Sequence, residues 1–178
     1  MFRWSLAVLA VATGPGIAAA QEMQSHGHAG GIAAIQPLYA RVKDLYIRAA
    51  EAMPEEHYAY RPIATVRTFG EVLGHVANEN YLFCANALGE KNPKEGTDYE
   101  KTTAKADMVT ALRESFAYCD PAYRMAEGKA MEETTFFGNK GSRLWVLIFN
   151  VTHDSEHYGN IVTYMREKGL VPPSSQGN

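Results

Sequence analysis

The stretch T-H-D-S-E-H-Y-G-N, residues 152–160, carries two of the chain's six histidines, His153 and His157, four positions apart. Four residues is just over one helical turn, so on an α-helix both imidazoles leave from the same side. The surrounding pattern is helical from about residue 142 to residue 168, and Gly169 stops it ahead of Pro172 and Pro173. Thr152, Ser155, Glu156, Gly159, Thr163 and Arg166 fall on one arc, and Leu144, Leu147, Val151, Tyr158, Val162 and Met165 lie across from it. The first set is a wet face. His153 and His157 belong to a third strip, with Val146, Phe149, Asn150, Asn160 and Tyr164, which must face another helix or a cleft. A buried polar group without a partner costs about 1–3 kcal/mol. A shared cation removes that cost for both rings.

The rest of the chain supplies partner helices and no convincing strand. Residues 35–53 place Leu38, Val42, Leu45, Tyr46 and Ala49 at helical spacing, with Pro37 tolerable in the first turn and Pro54 ending the run. The linker 55–66, with Tyr58, Tyr60 and Pro62, reads as a loop packed on the helices. Thr68-Phe69-Gly70-Glu71 is a capping box opening a second helix that runs to Gly89, a good C-cap. A third spans residues 105–118, with Met108, Leu112, Phe116 and Cys119 on one stripe and Asp120-Pro121 after it. Four amphipathic helices joined by moderate loops predict an all-α four-helix bundle in one domain.

A tight metal site wants three or four protein ligands, with one position open if the site is catalytic. Beyond the pair, the candidates are His57 in the linker and His75 in the second helix. His75 is the better placed. It lies on the shoulder of the apolar stripe Phe69, Val72, Val76, Phe83 and Ala87, together with Glu79, Leu82 and Asn86. Glu79, one turn on, is a candidate to orient His75 or to act as a fourth ligand.

Composition narrows the function classes. With 46% hydrophobic and 21% charged residues and a formal charge of −3, the chain shows no Lys/Arg patch of the kind nucleic acid or an anionic membrane requires. Residues 1–20 read as a secretory signal peptide: Arg3, the apolar run 6–12, and the small residues Ala18-Ala19-Ala20, with Gln21 as the mature N-terminus. The apolar run is too short, and too soon interrupted by Gly14-Pro15-Gly16, to be a membrane anchor. The expected location is periplasmic or secreted. Residues 21–34 read as a disordered leader, in which His26 and His28 carry no defined role. In an oxidising compartment the chain's two cysteines, Cys84 and Cys119, are a disulfide candidate.

The motif H-D-S-E-H matches the H-x-x-E-H of inverzincin proteases, but too little chain follows His157, and Glu156 sits on the wet face. It departs from H-E-x-x-H in having Asp154 where that motif needs Glu. The paired Glu-x-x-His of di-iron bundles and the Cys-x-x-Cys-His of attached haem are missing.

L-G-H-V-A in the second helix, H-D-S-E-H-Y-G-N in the fourth and the tail T-Y-M-R-E-K-G-L-V-P-P resemble the DinB-like superfamily of four-helix-bundle metalloproteins. That superfamily includes YfiT-type metal-dependent hydrolases, bacillithiol S-transferases and mycothiol-dependent isomerases. The likeness spans residues 35–173. It implies His75, His153 and His157 as ligands of one divalent metal ion, zinc foremost with nickel or iron as alternatives, at one open end of the bundle, and a homodimer as a frequent assembly. Low-molecular-weight thiols serve the best understood members in the cytoplasm, whereas this chain carries an export signal. Three neutral imidazoles leave a metal its full charge and an open position, suited to hydrolase-like or thiol S-transferase-like chemistry on an unknown small-molecule substrate. Asn150, Asn160, Tyr164 and Glu79 are the polar neighbours expected to face substrate. A non-catalytic metal-binding or stress-associated protein is the alternative, and a fourth protein ligand closing the site would favour it.

Overall fold

Residues 30–176 are described by the structure, a computed structural model. The signal-peptide reading and most of the leader, with His26 and His28, lie outside the described residues. The elements in chain order are helices α1 (Gly31–Ala52), α2 (Phe69–Leu88), α3 (Lys105–Cys119) and α4 (Glu127–Ala130), strands β1 (Glu133–Phe136) and β2 (Asn139–Ser142), and helix α5 (Arg143–Glu167). The four long helices form the bundle: α1 and α2 each pack against both α3 and α5. The expected stripes fill its interior apart from Leu38, which is 55% exposed, and the half-buried Leu144 and Val162; Tyr46, Phe69, Leu73, Phe83, Met108, Leu112, Phe116, Leu147 and Met165 are among its fully buried side chains.

Local chemistry explains most of the helix ends. The capping box at the start of α2 is complete: the Glu71 backbone N–H donates to Thr68 Oγ1 at 3.1 Å, and the Thr68 N–H donates to Glu71 Oε2 at 2.6 Å. Gly89 closes the same helix in the left-handed region at φ 79°. Helix α1, in contrast, starts at Gly31 rather than at residue 35. Its N-cap, Gly30, offers no side-chain acceptor. The Glu127 carboxylate of α4 supplies one instead, accepting from the N–H groups of Ile32 and Ala33 at 3.2 Å each. A cap donated from so far along the chain leaves no local signature, so residues 31–34 read as leader in the sequence but are helical.

Strands β1 and β2 correct the expectation of a strand-free chain. They pair antiparallel with Phe136 opposite Asn139, so Phe137 and Gly138 form a two-residue turn with φ of 48° and 77°. Asn86 of α2 fastens the hairpin, donating to the Thr135 carbonyl at 2.9 Å and accepting from Thr134 Oγ1 at 3.1 Å. Phe136 packs on Phe83 with ring centroids 4.8 Å apart.

Cys84 and Cys119 form the expected disulfide, with a Cα–Cα distance of 5.3 Å, and it joins the C-terminal part of α2 to the last residue of α3. Among the described residues no helix is long and apolar enough to cross a membrane.

Candidate metal centre

Helix α2 brings His75, and α5 brings His153 and His157, to one place in the bundle. One donor nitrogen from each lies within 4.8 Å of the other two. His75 Nε2 is 3.2 Å from His153 Nε2, and the ring centroids of His157 are 4.7 Å from His75 and 4.6 Å from His153. Imidazoles sharing one tetrahedral ion at about 2.0–2.1 Å hold their donors roughly 3.3 Å apart. The first pair already meets that spacing, and the His157 donor lies within 4.8 Å of both. His57, the other sequence candidate, lies in the linker and does not join the group.

The far side of the His75 ring fixes its tautomer. His75 Nδ1 faces Glu100 Oε1 at 3.0 Å, so Nδ1 carries the proton, donates it to the carboxylate, and leaves Nε2 a bare lone pair. His153 Nδ1 faces Asp154 Oδ1 at 3.7 Å, just beyond hydrogen-bond reach. His153 Nδ1 and both Asp154 carboxylate oxygens are buried without a partner. A proton on His153 Nδ1 and a small rotation would pair them. That tautomer again leaves Nε2 unprotonated. The two inner nitrogens then present lone pairs to each other at 3.2 Å, an arrangement that a cation between them relieves.

The electrostatics agree. Burial lowers the pKa of His157 to about 4, with further depression from His153, His75 and Arg67 against an opposing pull from Glu100. Burial likewise lowers His75. Both rings are neutral at neutral pH, the form that coordinates metals. Burial raises Asp154 to about 6, held down in part by His153 and raised further by Glu79.

Two of the orienting groups escape the sequence reading. Glu100 sits in a short 3-10 turn, Tyr99–Lys101, between α2 and α3. Asn78 of α2 pins that turn, accepting from the Tyr99 N–H at 2.9 Å and donating to Asp98 Oδ1 at 3.2 Å. Gly74 permits the approach, since a Cβ there would collide with the Tyr99 carbonyl and the Glu100 nitrogen. No sequence signal marks Glu100. Asp154 had one: Leu147, Val151, Asp154, Tyr158 and Ile161 alternate spacings of four and three, the core stripe of α5, and all five are buried.

The remaining expected residues divide. Glu79 makes no hydrogen bond to His75; Glu100 does that work, and among the described residues no carboxylate joins the three histidines as a ligand. Asn150 faces the core, not substrate: its amide donates to Asn80 Oδ1 at 3.2 Å and to Tyr123 OH at 3.0 Å, and it is fully buried. Asn160 lies 3.5 Å from His157 Nδ1 through its amide. If His157 coordinates through Nε2, its Nδ1–H needs an acceptor, which the Asn160 carbonyl oxygen becomes on turning the amide over. Tyr164 OH donates to the Arg67 carbonyl at 3.0 Å, holding the linker against α5. His157, Asn160 and Tyr164 line a cleft of about 550 Å³ together with Arg61, Arg67 and Glu100.

A four-helix bundle with three convergent imidazoles and an adjoining cleft is a bundle able to bind a metal ion. The chain belongs to the DinB superfamily, whose sequence pattern matches residues 38–161. It is 26% identical over 123 residues to an uncharacterized protein, YjoA, of Bacillus subtilis (strain 168), a match covering 67% of this chain and 79% of that protein. A DinB-like protein of Bacillus cereus ATCC 10987 has a crystal structure similar at a TM-score of 0.67 with 18% identity, over 76% of this chain and 91% of that one. The crystal structure of Bacillus subtilis YjoA, a DinB-like protein, is similar at a TM-score of 0.64 with 23% identity, over 82% and 99%. These structural likenesses establish the fold alone.

Proposed function

We propose that the protein is an exported metal-dependent enzyme that holds one divalent cation, zinc foremost, on His75, His153 and His157. The observation that carries this reading is the inward pairing of His75 Nε2 and His153 Nε2 at 3.2 Å with carboxylates behind both rings. Inner nitrogens at that spacing, with a carboxylate behind each ring, suit a shared ion.

When bound, the cation supplies Lewis acidity, polarising a substrate carbonyl or acidifying a coordinated water or thiol. The chain's own residues do the rest. Glu100 fixes the tautomer of His75, Asp154 stands behind His153 ready to pair with its Nδ1–H, and neutral rings leave the ion's charge undiminished. Phe83, whose ring centroid is 5.6 Å from that of His153, walls the site from the core side and keeps water from the rear. Substrate enters from the cleft side, past His157. The lack of a carboxylate ligand among the described residues favours turnover over a closed storage site. The inter-helix disulfide supports export, since such bonds persist in oxidising compartments.

The experiment is elemental analysis of protein purified without an affinity tag, followed by amide, ester and thiol-conjugation substrates with and without chelator. The reading expects stoichiometric metal and a chelator-sensitive turnover of one substrate class. Stoichiometric metal with no turnover across the panel would favour the non-catalytic metal-binding alternative, and a metal-free protein would reject both.

A further inference from the structure

The structure assigns the cleft beside the histidines to the anionic end of a small molecule, a carboxylate or a phosphate, with Arg61 and Arg67 as the groups that recognise it. Its volume of about 550 Å³ suits a metabolite-sized ligand. Both arginines come from the segment just before α2, and both line the cleft.

The two carboxylates that share this cleft are already engaged. Glu71 Oε2 accepts from the Thr68 N–H in the capping box at 2.6 Å. Glu100 spends Oε1 on His75 at 3.0 Å and Oε2 on Arg67 Nε at 2.9 Å. Arg67 is therefore held at Nε, which orients its two terminal nitrogens without consuming them. Arg61 has weaker company: the carbonyls of Ala64 and Val66 at 3.5 Å each, and Glu71 Oε1 at 4.0 Å. Among the described residues neither guanidinium has its terminal N–H groups filled by a close carboxylate. A pre-oriented fork of this kind matches the geometry of a carboxylate or phosphate.

Charge points the same way. Two arginines and two glutamates sum to zero, so a dication on the adjoining histidines would make the cleft net positive. In that respect the inference rests on the metal reading above. A ligand would reach the ion with its reacting group and the arginines with its anion, spanning from His157 to Arg61. The anion thus sets which molecules are held in register with the centre.

The test is isothermal titration of the zinc-loaded full chain with malonate, inorganic phosphate and, as the neutral counterpart of malonate, malonamide. One anion is expected to bind per chain, with malonamide silent; the tighter of malonate and phosphate names the source. Arg61→Gln should weaken that anion about tenfold or more at unchanged zinc content, and Arg61→Lys should recover part of the loss. Arg67→Lys, which keeps the charge but not the fork, is the second variant, should Arg61→Gln fold poorly by circular dichroism. Equal anion affinity in wild type, Arg61→Gln and Arg67→Lys, or malonamide binding as tightly as malonate, would overturn the assignment while leaving the metal reading intact. A chain that takes up no zinc would instead sink the metal reading, and anion binding that still depends on Arg61 would uphold the cleft without it.

Discussion

Asp154 Oδ1 and His153 Nδ1 face each other at 3.7 Å inside the bundle, and neither has any other partner. A buried carboxylate without a hydrogen bond is destabilising by itself, so its presence on the core stripe of α5 needs a compensating role. Holding the ring of His153 against an ion is such a role.

Substituting Asp154→Asn keeps the volume and removes the charge. Metal affinity is expected to fall about 10–100-fold, the usual effect of losing an orienting carboxylate behind a coordinating histidine. Competition with a fluorescent chelator measures it. Unchanged affinity would mean that the contact is incidental packing.

The same variant should alter the pH dependence of stability in the metal-free protein. His157 is depressed to about 4, so its contribution is complete above its ordinary range near 6.5 and is lost as the pH falls toward 4. Asp154 is raised to about 6, so its contribution is present below its ordinary range and is lost as the pH rises through 6. Between about pH 4 and 6 the two slopes oppose. Without Asp154, unfolding free energy should rise with pH more steeply than in wild type, by up to about 1.4 kcal/mol per pH unit. Urea unfolding at pH 4, 5 and 6 with chelator present checks this, and parallel curves would contradict it.

Gly74→Ala tests how Glu100 reaches His75. The new methyl group meets backbone at Tyr99 and Glu100, which cannot swing aside as a flexible side chain could. The turn must lift, costing about 1–3 kcal/mol of stability as in other overpacked sites. Metal affinity should fall with it. Glu100→Gln should weaken metal binding with little loss of stability, since the pair is partly exposed. If Gly74→Ala binds metal as wild type does, Glu100 is not the group that orients His75.

The Cys84–Cys119 bond closes a loop with a sequence separation of 35. Reduction, or the double Cys→Ala change, should cost about 2–4 kcal/mol on chain-entropy grounds. Thermal melts with and without reductant give the value. An unchanged melting temperature would show that α2 and α3 hold their packing unaided.

Much of this architecture is legible residue by residue. Thr68 and Glu71 announce the start of α2 because a capping box is local chemistry, and Gly89 announces its end for the same reason. The strip holding His153 and His157, and the shoulder holding His75, follow from helical spacing alone. What spacing cannot convey is contact made across the chain. Glu127 of α4 caps α1, and Glu100, from the turn between α2 and α3, accepts the His75 Nδ1–H, so neither contact is local in the sequence. The hairpin was hidden because its strands are short, although Phe137-Gly138 between Thr-Thr-Phe and Asn-Lys-Gly is a turn signal. Asn150 misled because a polar residue on an inward strip can answer to the core, here Asn80 and Tyr123, as well as to a ligand.

The central claim is that three side chains hold one ion. Calorimetric titration of zinc into chelator-treated protein tests it most directly, with His75→Ala, His153→Ala and His157→Ala run alongside. The account predicts one ion per chain for the wild type and an affinity at least about a hundredfold weaker in each variant, as expected when one of only three ligands is lost. Wild-type affinity retained in any of the three, or no saturable binding in the unmodified protein, would contradict it.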